Sequence, residues 1–375
     1  GPRLLPNTPQ YEKLARTFQI AEIEVYEAIL QRRKGTAVDI PLSPVNRETY
    51  ESVFARWKNR KKDRPPKTVR GFEQAFELMR LHCTAIAPSM LVKDDAIHLR
   101  DKLIEADKMS RENISKLITF LAAAFQCSVD DGKLAINPFR GVKIELDAKA
   151  KLTKARLPFS EDHLQTIFSS RLYQPGFTPR ESLGNACHWL PLVSLLGGGM
   201  RLEEAAQLHA EDFFFDKKLK AWYMHVHDEG QRQVKTASSI RHVPVHPELL
   251  KLGLIDLVNK VKLGRLFPTL KPDTYGKLGT LFSTWFGLYL DELGIVSEQL
   301  VFHSFRHSFI QICKQKVTKI PAEVREAIVG HIKQKDIEAQ YGTPYYPLEP
   351  MVQAMKHVKF DIDFSHIYPT RNDAQ

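Results

Sequence analysis

The chain has few cysteines and no long apolar run, and each shortage excludes a class of protein. Its four cysteines, Cys83, Cys127, Cys187 and Cys313, lie far apart and form no C-x-x-C pair. They predict free thiols in a reducing compartment and argue against a disulfide framework or a cysteine-based zinc site. No apolar stretch approaches the ~20 residues that a transmembrane helix requires. Internal repeats and low-complexity segments are also lacking, so the composition is typical of an ordinary globular protein.

The residues that are present favour more than one domain and an anionic partner. A chain of 375 residues can form two or three domains, each with its own core. Lysine and arginine number 54 against 44 aspartates and glutamates, for a formal net charge of +10 at pH 7. Because many proteins that bind no nucleic acid are equally basic, this excess indicates a polyanionic partner only weakly.

Apolar spacing predicts a mainly helical chain with one small antiparallel β-sheet, an α+β fold. We expect four segments, in this order: an N-terminal helix or arm over 1–45, a helical domain over 46–139, a linker over 140–157 and a second domain over 158–375. The first helix is interpreted as packing at a domain edge rather than as an arm that reaches a neighbour. The two predicted strands cover 222–227 and 241–245 of the second domain.

A dense basic stretch lies between the first two helices of the 46–139 segment. It comprises Lys58, Arg60, Lys61, Lys62, Arg64, Lys67 and Arg70. A run of charge is often only a solvated face of the protein. A loop this basic also suits contacts with phosphates, which position a protein on nucleic acid without reading its sequence. Both interpretations stay open.

Two cationic residues of the second domain suit a role at a phosphate. Arg201 follows three glycines at a predicted helix start, where its guanidinium can hold two phosphate oxygens in a geometry that lysine cannot reproduce. Glu204 lies on the same helix face and can orient that guanidinium. Lys235 lies on or beside the predicted hairpin and can donate a proton to a leaving oxygen. Taken singly, an ordinary ion pair and a solvent-exposed lysine are the commoner explanations.

The stretch that begins at His303 adds two imidazoles and a second guanidinium. His303 and Arg306 are one helical turn apart and therefore share a face. Histidine can move a proton near neutral pH, and Arg306 can act as a second clamp on a phosphate. His331 follows Gly330 and can donate to a phosphate oxygen, or it can simply cap a helix and pack.

Tyr341 is the candidate nucleophile. A phenol with an ordinary pKa near ~10 is a poor nucleophile at neutral pH, so it needs a base and cationic surroundings. The arginines, the lysine and the histidines above can supply both. Tyr345 and Tyr346 are rivals by position, but prolines on either side of them favour packing roles.

In this order, these residues resemble the active site of the tyrosine recombinases, also called the phage integrase family. The matching stretches are Gly-Met-Arg-Leu-Glu-Glu at 199–204, Val-Lys-Thr-Ala-Ser-Ser-Ile-Arg-His-Val-Pro-Val at 234–245, His-Ser-Phe-Arg-His-Ser-Phe at 303–309, Val-Gly-His-Ile at 329–332 and Gln-Tyr-Gly at 340–342. The resemblance covers about 158–345, whereas 46–137 resembles the family's core-binding domain in layout alone. Six residues match the catalytic positions of the family: Arg201, Lys235, His303, Arg306, His331 and Tyr341. The triple glycine before Met200 and the glycine after Tyr341 are small departures.

The resemblance implies a site-specific DNA recombinase that cleaves and rejoins strands. Tyr341 would form a 3′-phosphotyrosyl link and release a 5′-hydroxyl, without a metal, ATP or another cofactor. Arg201, Arg306 and His331 would stabilise the transition state. Lys235 would act as general acid and His303 as general base.

The partners and the location follow from the same resemblance. We expect specific sites on double-stranded DNA, a homo-tetramer that exchanges strands through a Holliday junction, a monomer in free solution, accessory proteins, and a cytoplasmic, nucleoid-associated location in a bacterium. Integration, excision, transposition and resolution of replicon dimers are not distinguished. The alternatives are a type IB topoisomerase and a DNA-binding regulator with a lapsed active site. The apolar spacing of 348–355 predicts a further helix that docks either on a neighbouring protomer or on its own domain.

Overall fold

The structure is a computed structural model, and it describes residues 9–35, 48–83, 85, 87–145, 155–175, 177, 182–230, 232–315, 320–332, 336 and 342–368. The chain separates into two compact units, Gly1–Glu145 and Leu146–Gln375, which we call the N-terminal unit and the C-terminal unit. The division falls inside the predicted linker 140–157. The predicted boundaries at 45 and 157 remain predictions.

The described part of the N-terminal unit is helical, and local sequence signals fix several of the helix ends. Its helices are α1 (Pro9–Arg33), α2 (Tyr50–Asn59), α3 (Pro66–His82), α4 (Lys93–Glu105) and α5 (Arg111–Asp130), with a 3-10 turn at Pro88–Met90. Ser110 caps α5, because its hydroxyl accepts from the backbone N–H of Asn113 at 3.4 Å. Helix α3 begins at Pro66, since proline suits a first helical turn.

Aromatic rings build the core of this unit, and α1 does not contribute to it in the predicted way. The Trp57 and Phe72 rings stack with their centroids 3.5 Å apart, and Phe72 stacks on Phe120. On α1, by contrast, Phe18 is 63% exposed and Tyr26 is 71% exposed. The interpretation of α1 as a packing helix is therefore wrong for these side chains.

The C-terminal unit surrounds a buried helix with further helices and a small sheet. Its helices are α6 (Glu161–Phe168), α7 (Ala186–Leu196), α8 (Leu202–Ala206), α9 (Pro247–Lys251), α10 (Leu254–Val261), α11 (Gly279–Glu292), α12 (Ser304–Lys314), α13 (Ala322–Val329) and α14 (Leu348–His357). Its strands are β1 (Phe213–Asp216), β2 (Ala221–Val226) and β3 (Arg241–Pro244), joined in the order β1-β2-β3. Every residue of α7 from Trp189 to Leu196 is buried. The prediction of a mainly helical chain with a small antiparallel sheet is confirmed.

The sheet turns one face to the core and the other outward. Strand β2 pairs antiparallel with both neighbours, and His225 lies opposite His242 in the register of β2 and β3. Met224 and Val243 are fully buried on the core side. The connection between β2 and β3 is long and contains a 3-10 turn at Ala237–Ser239, so Lys235 lies in a loop rather than in a tight hairpin.

Helix α14 docks within its own unit. It packs against α13 and β3, with Met351 and Met355 each 1% exposed. Beyond it, the ring nitrogen Nε2 of His246 donates to the backbone carbonyl of Val358 at 2.8 Å. Of the two predicted docking modes, the structure adopts the one on its own domain.

The structure also describes the cysteines and the apolar content of the helices. All four cysteines are free thiols. Within the described ranges, no helix is long and apolar enough to cross a membrane.

Candidate active site

Arg201 stands where the glycine run after α7 turns into α8. Gly198 and Gly199 have φ of +72° and +65°, which side chains other than glycine rarely adopt. A Cβ on Gly198 would lie 2.8 Å from side-chain atoms of Val243 and Ile328, so strand β3 and helix α13 come against the bare backbone here. The triple glycine therefore allows β3 and α13 to pack close to Arg201.

The guanidinium of Arg201 is held on one side and available on the other. Its Nη1 donates to Glu204 Oε1 at 2.6 Å and to the Ser239 hydroxyl at 3.2 Å. The side chain is 22% exposed. Among the described residues, no hydrogen-bond partner is found for its Nε and Nη2 groups. Those groups can receive an anion that approaches from solvent.

Glu204 is a buried carboxylate shared by two arginines. Besides Arg201, it accepts from Nη2 of Arg241 at 3.0 Å, and both Glu204 and Arg241 are almost fully buried. Burial alone would raise the pKa of Glu204, but the positive charges of Arg241 and Arg201 outweigh burial and lower it to about 2. The carboxylate is therefore ionised at neutral pH and fixes the position of both guanidinium groups.

Arg306 is buried and its guanidinium is bonded on two sides. Its Nη1 donates to the Gly199 carbonyl at 2.7 Å, and its Nη2 donates to the Val329 carbonyl at 2.7 Å. Burial, and then the charges of Arg201 and Arg241, lower the pKa of Arg306 to about 9, so it stays protonated at neutral pH. The guanidinium thus joins the glycine run, α12 and the end of α13.

His331 lies against Arg306 at the end of α13. The Nη2 of Arg306 is 2.9 Å from Nε2 of His331. Because a guanidinium can only donate, Nε2 accepts, and the neutral imidazole carries its proton on Nδ1. Burial and the charges of Arg306 and Arg201 lower the pKa of His331, which keeps the ring neutral.

His303 and Lys235 complete the cluster on its exposed side. Packing around the His303 ring lowers its pKa to about 4, and the neighbouring His307, Arg306, Arg201 and Lys235 add to this effect. The rings of His303 and His307 are 5.1 Å apart, so His307 contacts His303. Lys235 is exposed and forms no ion pair with a described residue. The neutral His303 can accept a proton, and Lys235 can donate one.

The predicted nucleophile, Tyr341, lies outside the described residues. Its rival Tyr345 is described, and its hydroxyl is 3.1 Å from Nε2 of His225. Burial and the nearby Glu229 raise the pKa of Tyr345, which makes its phenol a poorer nucleophile. The other rival, Tyr346, packs against the hydrophobic core.

In the N-terminal unit, the structure divides the predicted basic stretch into two kinds of residue. Arg60 donates to Asp131 at 2.7 Å and to the Cys127 carbonyl at 3.0 Å. The Arg64 guanidinium lies 4.0 Å from the centre of the Trp57 ring and donates to the Trp57 carbonyl. These two arginines therefore serve the fold of their own unit.

The other members of the stretch are exposed. The Nη1 of Arg70 lies 3.4 Å from Oε1 of Glu77 in a solvent-exposed ion pair, which adds little to stability. The remaining members have no ion-pair partner in the described part of the chain: Lys58, Lys61, Lys62 and Lys67. The four lysines, together with Arg70, are thus the groups available to an anionic partner.

Sequence reasoning missed two residues that shape the site. Arg241 donates from Nε to the Ile328 carbonyl at 2.7 Å and so ties β3 to the end of α13. Ser239 is fully buried beneath Arg201. Both lie inside the stretch 234–245. An arginine at a strand position with an apolar pattern is unusual, and this could have marked Arg241 as a residue of the site. Over the described residues, no group of three or more His, Cys, Asp or Glu is placed to hold a metal ion.

The fold and the site together define a class of protein. A helical unit precedes a mainly helical unit with a three-stranded sheet, and the second unit brings two arginines, two histidines and a lysine near one another, with His303 and Lys235 exposed to solvent. Such a cluster is suited to bind a phosphodiester and to stabilise charge on its oxygens.

Comparisons with known proteins find similarity to tyrosine recombinases and integrases. The tyrosine recombinase XerC-like protein of Caldanaerobacter subterraneus subsp. tengcongensis is 27% identical over 263 residues, which are 62% of this chain and 62% of that protein. The Tn1549 transposon integrase, solved with a circular intermediate DNA, is 17% identical with a TM-score of 0.56, covering 80% of this chain and 95% of that one.

A lambda integrase dimer bound to a core site has a TM-score of 0.51 and 16% identity, covering 86% of this chain and 87% of that one. No family model matches the sequence. The chain is thus similar in sequence to a tyrosine recombinase, and the fold of its two units matches that of the core-binding and catalytic domains of an integrase.

Proposed function

We propose that this protein is a site-specific DNA recombinase that cleaves and rejoins DNA through a 3′-phosphotyrosyl link on Tyr341. The observation that supports this most is the clustering of Arg201, Arg306 and His331 beside His303, with donors of Arg201 left available to an anion. These residues come from three separate segments of the chain. Their meeting in one place is what an enzyme that grips a phosphodiester requires.

Each residue has a role that follows from its environment. Arg201 binds the non-bridging oxygens of the scissile phosphate, and Arg306 with His331 stabilises the charge that develops on them. His303 is neutral at pH 7 because its pKa is about 4, so it can accept the proton of the attacking phenol. Lys235 protonates the leaving 5′-oxygen. The energy of the phosphodiester is kept in the covalent link, so a second 5′-hydroxyl can reseal the strand.

The partner is double-stranded DNA that carries specific recombination sites. The integrases of Tn1549 and lambda were solved with DNA, and the lambda protein was solved as a dimer on its core site. For the present chain we propose four protomers on two synapsed duplexes and exchange through a Holliday junction, in the integration, excision or transposition of a mobile element. In the N-terminal unit, the exposed lysines at 58, 61, 62 and 67 would contact backbone phosphates.

A covalent-trapping assay tests the proposal. The protein is mixed with DNA from its own genetic neighbourhood that carries nicks, so that the cleaved end diffuses away. We expect a denaturant-resistant protein–DNA adduct that is lost in Tyr341→Phe. Tyr346→Phe serves as the matched control and should keep the adduct.

Each other outcome points elsewhere. An adduct that persists in Tyr341→Phe moves the nucleophile to another tyrosine. Tight DNA binding without any adduct favours a regulator with a lapsed active site. Relaxation of supercoiled DNA by the monomer, without any dependence on a partner site, favours a type IB topoisomerase.

A further inference from the structure

The outer face of the sheet is a platform of aromatic and imidazole rings. It is formed by Phe214, Tyr223, His225 and His242, which project from the three strands on the side away from the core. The Phe214 and Tyr223 rings stack 5.5 Å apart, and Tyr223 lies 4.8 Å from the His242 ring. An uncovered platform of this kind would leave apolar ring surface in water.

Tyr345 covers the histidine end of this platform. Its ring stacks on His242 with centroids 4.1 Å apart and planes 19° apart. It meets the His225 ring edge to face at 5.3 Å, and its hydroxyl lies 3.1 Å from Nε2 of His225. A stack and a hydrogen bond together fix both the position and the rotation of the ring.

A second layer of contacts fixes the histidines. The His225 ring stacks on His227 at 4.5 Å, and Nε2 of His227 is 3.1 Å from a carboxylate oxygen of Asp212. Asp212 accepts two further hydrogen bonds from Arg232, at 2.7 and 3.1 Å. The platform is therefore held from beneath by a buried carboxylate and does not depend on Tyr345 for its own order.

Tyr345 also lies beside the candidate active site. A small cavity is lined in common by Tyr345, His242, Arg241 and Gly330. The Tyr345 ring is therefore close to Gly330, which precedes His331, and to Arg241, which bonds to Glu204. Tyr345 is four positions after Tyr341 along the chain. Even a fully extended chain of that length spans only about 14 Å.

We propose that Tyr345 is a positioning residue for the DNA-cleavage step: docked on His225 and His242, it holds the chain that follows Tyr341 at a fixed place beside Arg241 and Gly330. The proposal rests on the proposed function, because it assigns the anchor to the same nucleophile.

Four variants separate the contacts. Tyr345→Phe removes the hydroxyl and keeps the stack, whereas His225→Ala removes the ring and the hydrogen-bond partner. His225→Gln retains a polar group near the position of Nε2 and should restore part of the activity. Tyr223→Phe is the matched control, because it removes a phenolic oxygen from the same platform that has no hydrogen-bond partner among the described residues.

The first readout is single-turnover adduct formation at saturating nicked DNA, with DNA affinity measured separately. We expect Tyr345→Phe and His225→Ala each to slow adduct formation about tenfold, because the loss of one hydrogen bond lowers by about that factor the fraction of molecules in which the chain after Tyr341 is anchored. The double variant should be no slower than either single variant, and DNA affinity should stay unchanged. Equal rates in Tyr345→Phe, Tyr223→Phe and the unsubstituted protein would overturn the positioning role.

The second readout is independent of chemistry. Backbone amide hydrogen exchange of the peptide 336–347, measured without DNA, should be faster in Tyr345→Phe and in His225→Ala than in Tyr223→Phe. Unchanged exchange would overturn the anchor itself. If the unsubstituted protein forms no adduct, the proposed function fails, and the exchange experiment still decides whether Tyr345 anchors this segment.

Discussion

At the scale of single residues, the site holds three positively charged guanidinium groups that repel one another. Arg201, Arg241 and Arg306 lie close enough for each of the other two to lower the pKa of Arg306. Glu204 is the buried carboxylate that offsets this repulsion, and it bonds to two of the three. Removing one partner from a buried ionic group commonly costs several kcal/mol, because the remaining charges are left uncompensated.

We therefore predict that Glu204→Gln lowers the free energy of unfolding by about 3 kcal/mol and also slows adduct formation. The neutral amide cannot balance Arg241, and it no longer holds Arg201 in place. Chemical denaturation measures the first effect, and single-turnover cleavage at saturating DNA measures the second. Glu229→Gln is the control, because its side chain is 83% exposed. A Glu204→Gln protein as stable and as fast as the control would contradict this account.

The residue scale also shows where the sequence was informative and where it was not. Arg201, Glu204 and Arg306 could be chosen from spacing, because one helical turn brings i and i+3 together. The arginines of the basic stretch could not be sorted in this way. Arg60 and Arg64 look like their lysine neighbours in sequence, yet they bond within the fold. Those partners lie far along the chain or in backbone carbonyls, which no local pattern reports.

At the scale of elements, Gly330 ends α13 and lets β3 approach the site. Its φ is +77°, and a Cβ there would lie 3.0 Å from the Ser238 carbonyl oxygen and 3.2 Å from Arg241. Gly294 has the same φ of +77° but nothing within 4 Å of its Cβ position. The two glycines share the backbone conformation and differ only in their surroundings.

We predict that Gly294→Ala costs about 1 kcal/mol of unfolding free energy, from the left-handed backbone alone. Gly330→Ala should cost about 2–3 kcal/mol, because the methyl group also has to displace backbone or Arg241. It should in addition slow adduct formation, whereas Gly294→Ala should not. Denaturant unfolding and single-turnover cleavage of the two variants provide the comparison. Equal losses in both would mean that the close approach at Gly330 is unimportant.

Elements with a clear local signal could be predicted, and those defined by distant pairing could not. Helix α5 follows a serine cap and carries an apolar stripe, and both signals can be read from the local sequence. Strand β1 is four residues long and carries three phenylalanines in a row, so it has no alternating pattern. Its identity as a strand comes from the register with β2, in which Phe214 faces Tyr223. The platform of aromatic and imidazole rings depends on the same register. The sequence could therefore predict a packing role for Tyr345 but not its contacts with His225 and His242.

At the scale of the whole molecule, the two units differ in how their ionisable groups respond to acid. In the described part of the chain, burial lowers the pKa of seven histidines, all in the C-terminal unit: His188, His225, His242, His246, His303, His307 and His331. In the N-terminal unit the lowered pKa values belong to carboxylates such as Asp130 and Asp131. The two sets of groups lose their contribution to stability in different pH ranges.

The sign of each effect follows from proton binding. A histidine whose folded pKa lies below its unfolded value of about 6.5 binds more protons when unfolded, so its contribution is lost as pH falls from 6.5 through the folded pKa. A carboxylate with a lowered pKa loses its contribution only below its unfolded value, about 4. Between pH 6.5 and 4.5, acid should therefore weaken the C-terminal unit and spare the N-terminal one.

Hydrogen exchange resolved by peptide, at pH 7.5 and pH 5 with rates corrected for intrinsic exchange, measures this for each unit. We expect protection in α7 and α12 to fall at pH 5, while protection in α3 and α5 is kept. His188, packed between Tyr173 and Trp189, has its pKa lowered to about 4 by burial. On its own it should account for about 2 kcal/mol of the loss at pH 5. His188→Gln should reduce the pH dependence of the C-terminal unit by that amount, and His357→Gln, at an exposed position, should leave it intact. An equal loss of protection in both units would show that the acid sensitivity does not come from these buried imidazoles.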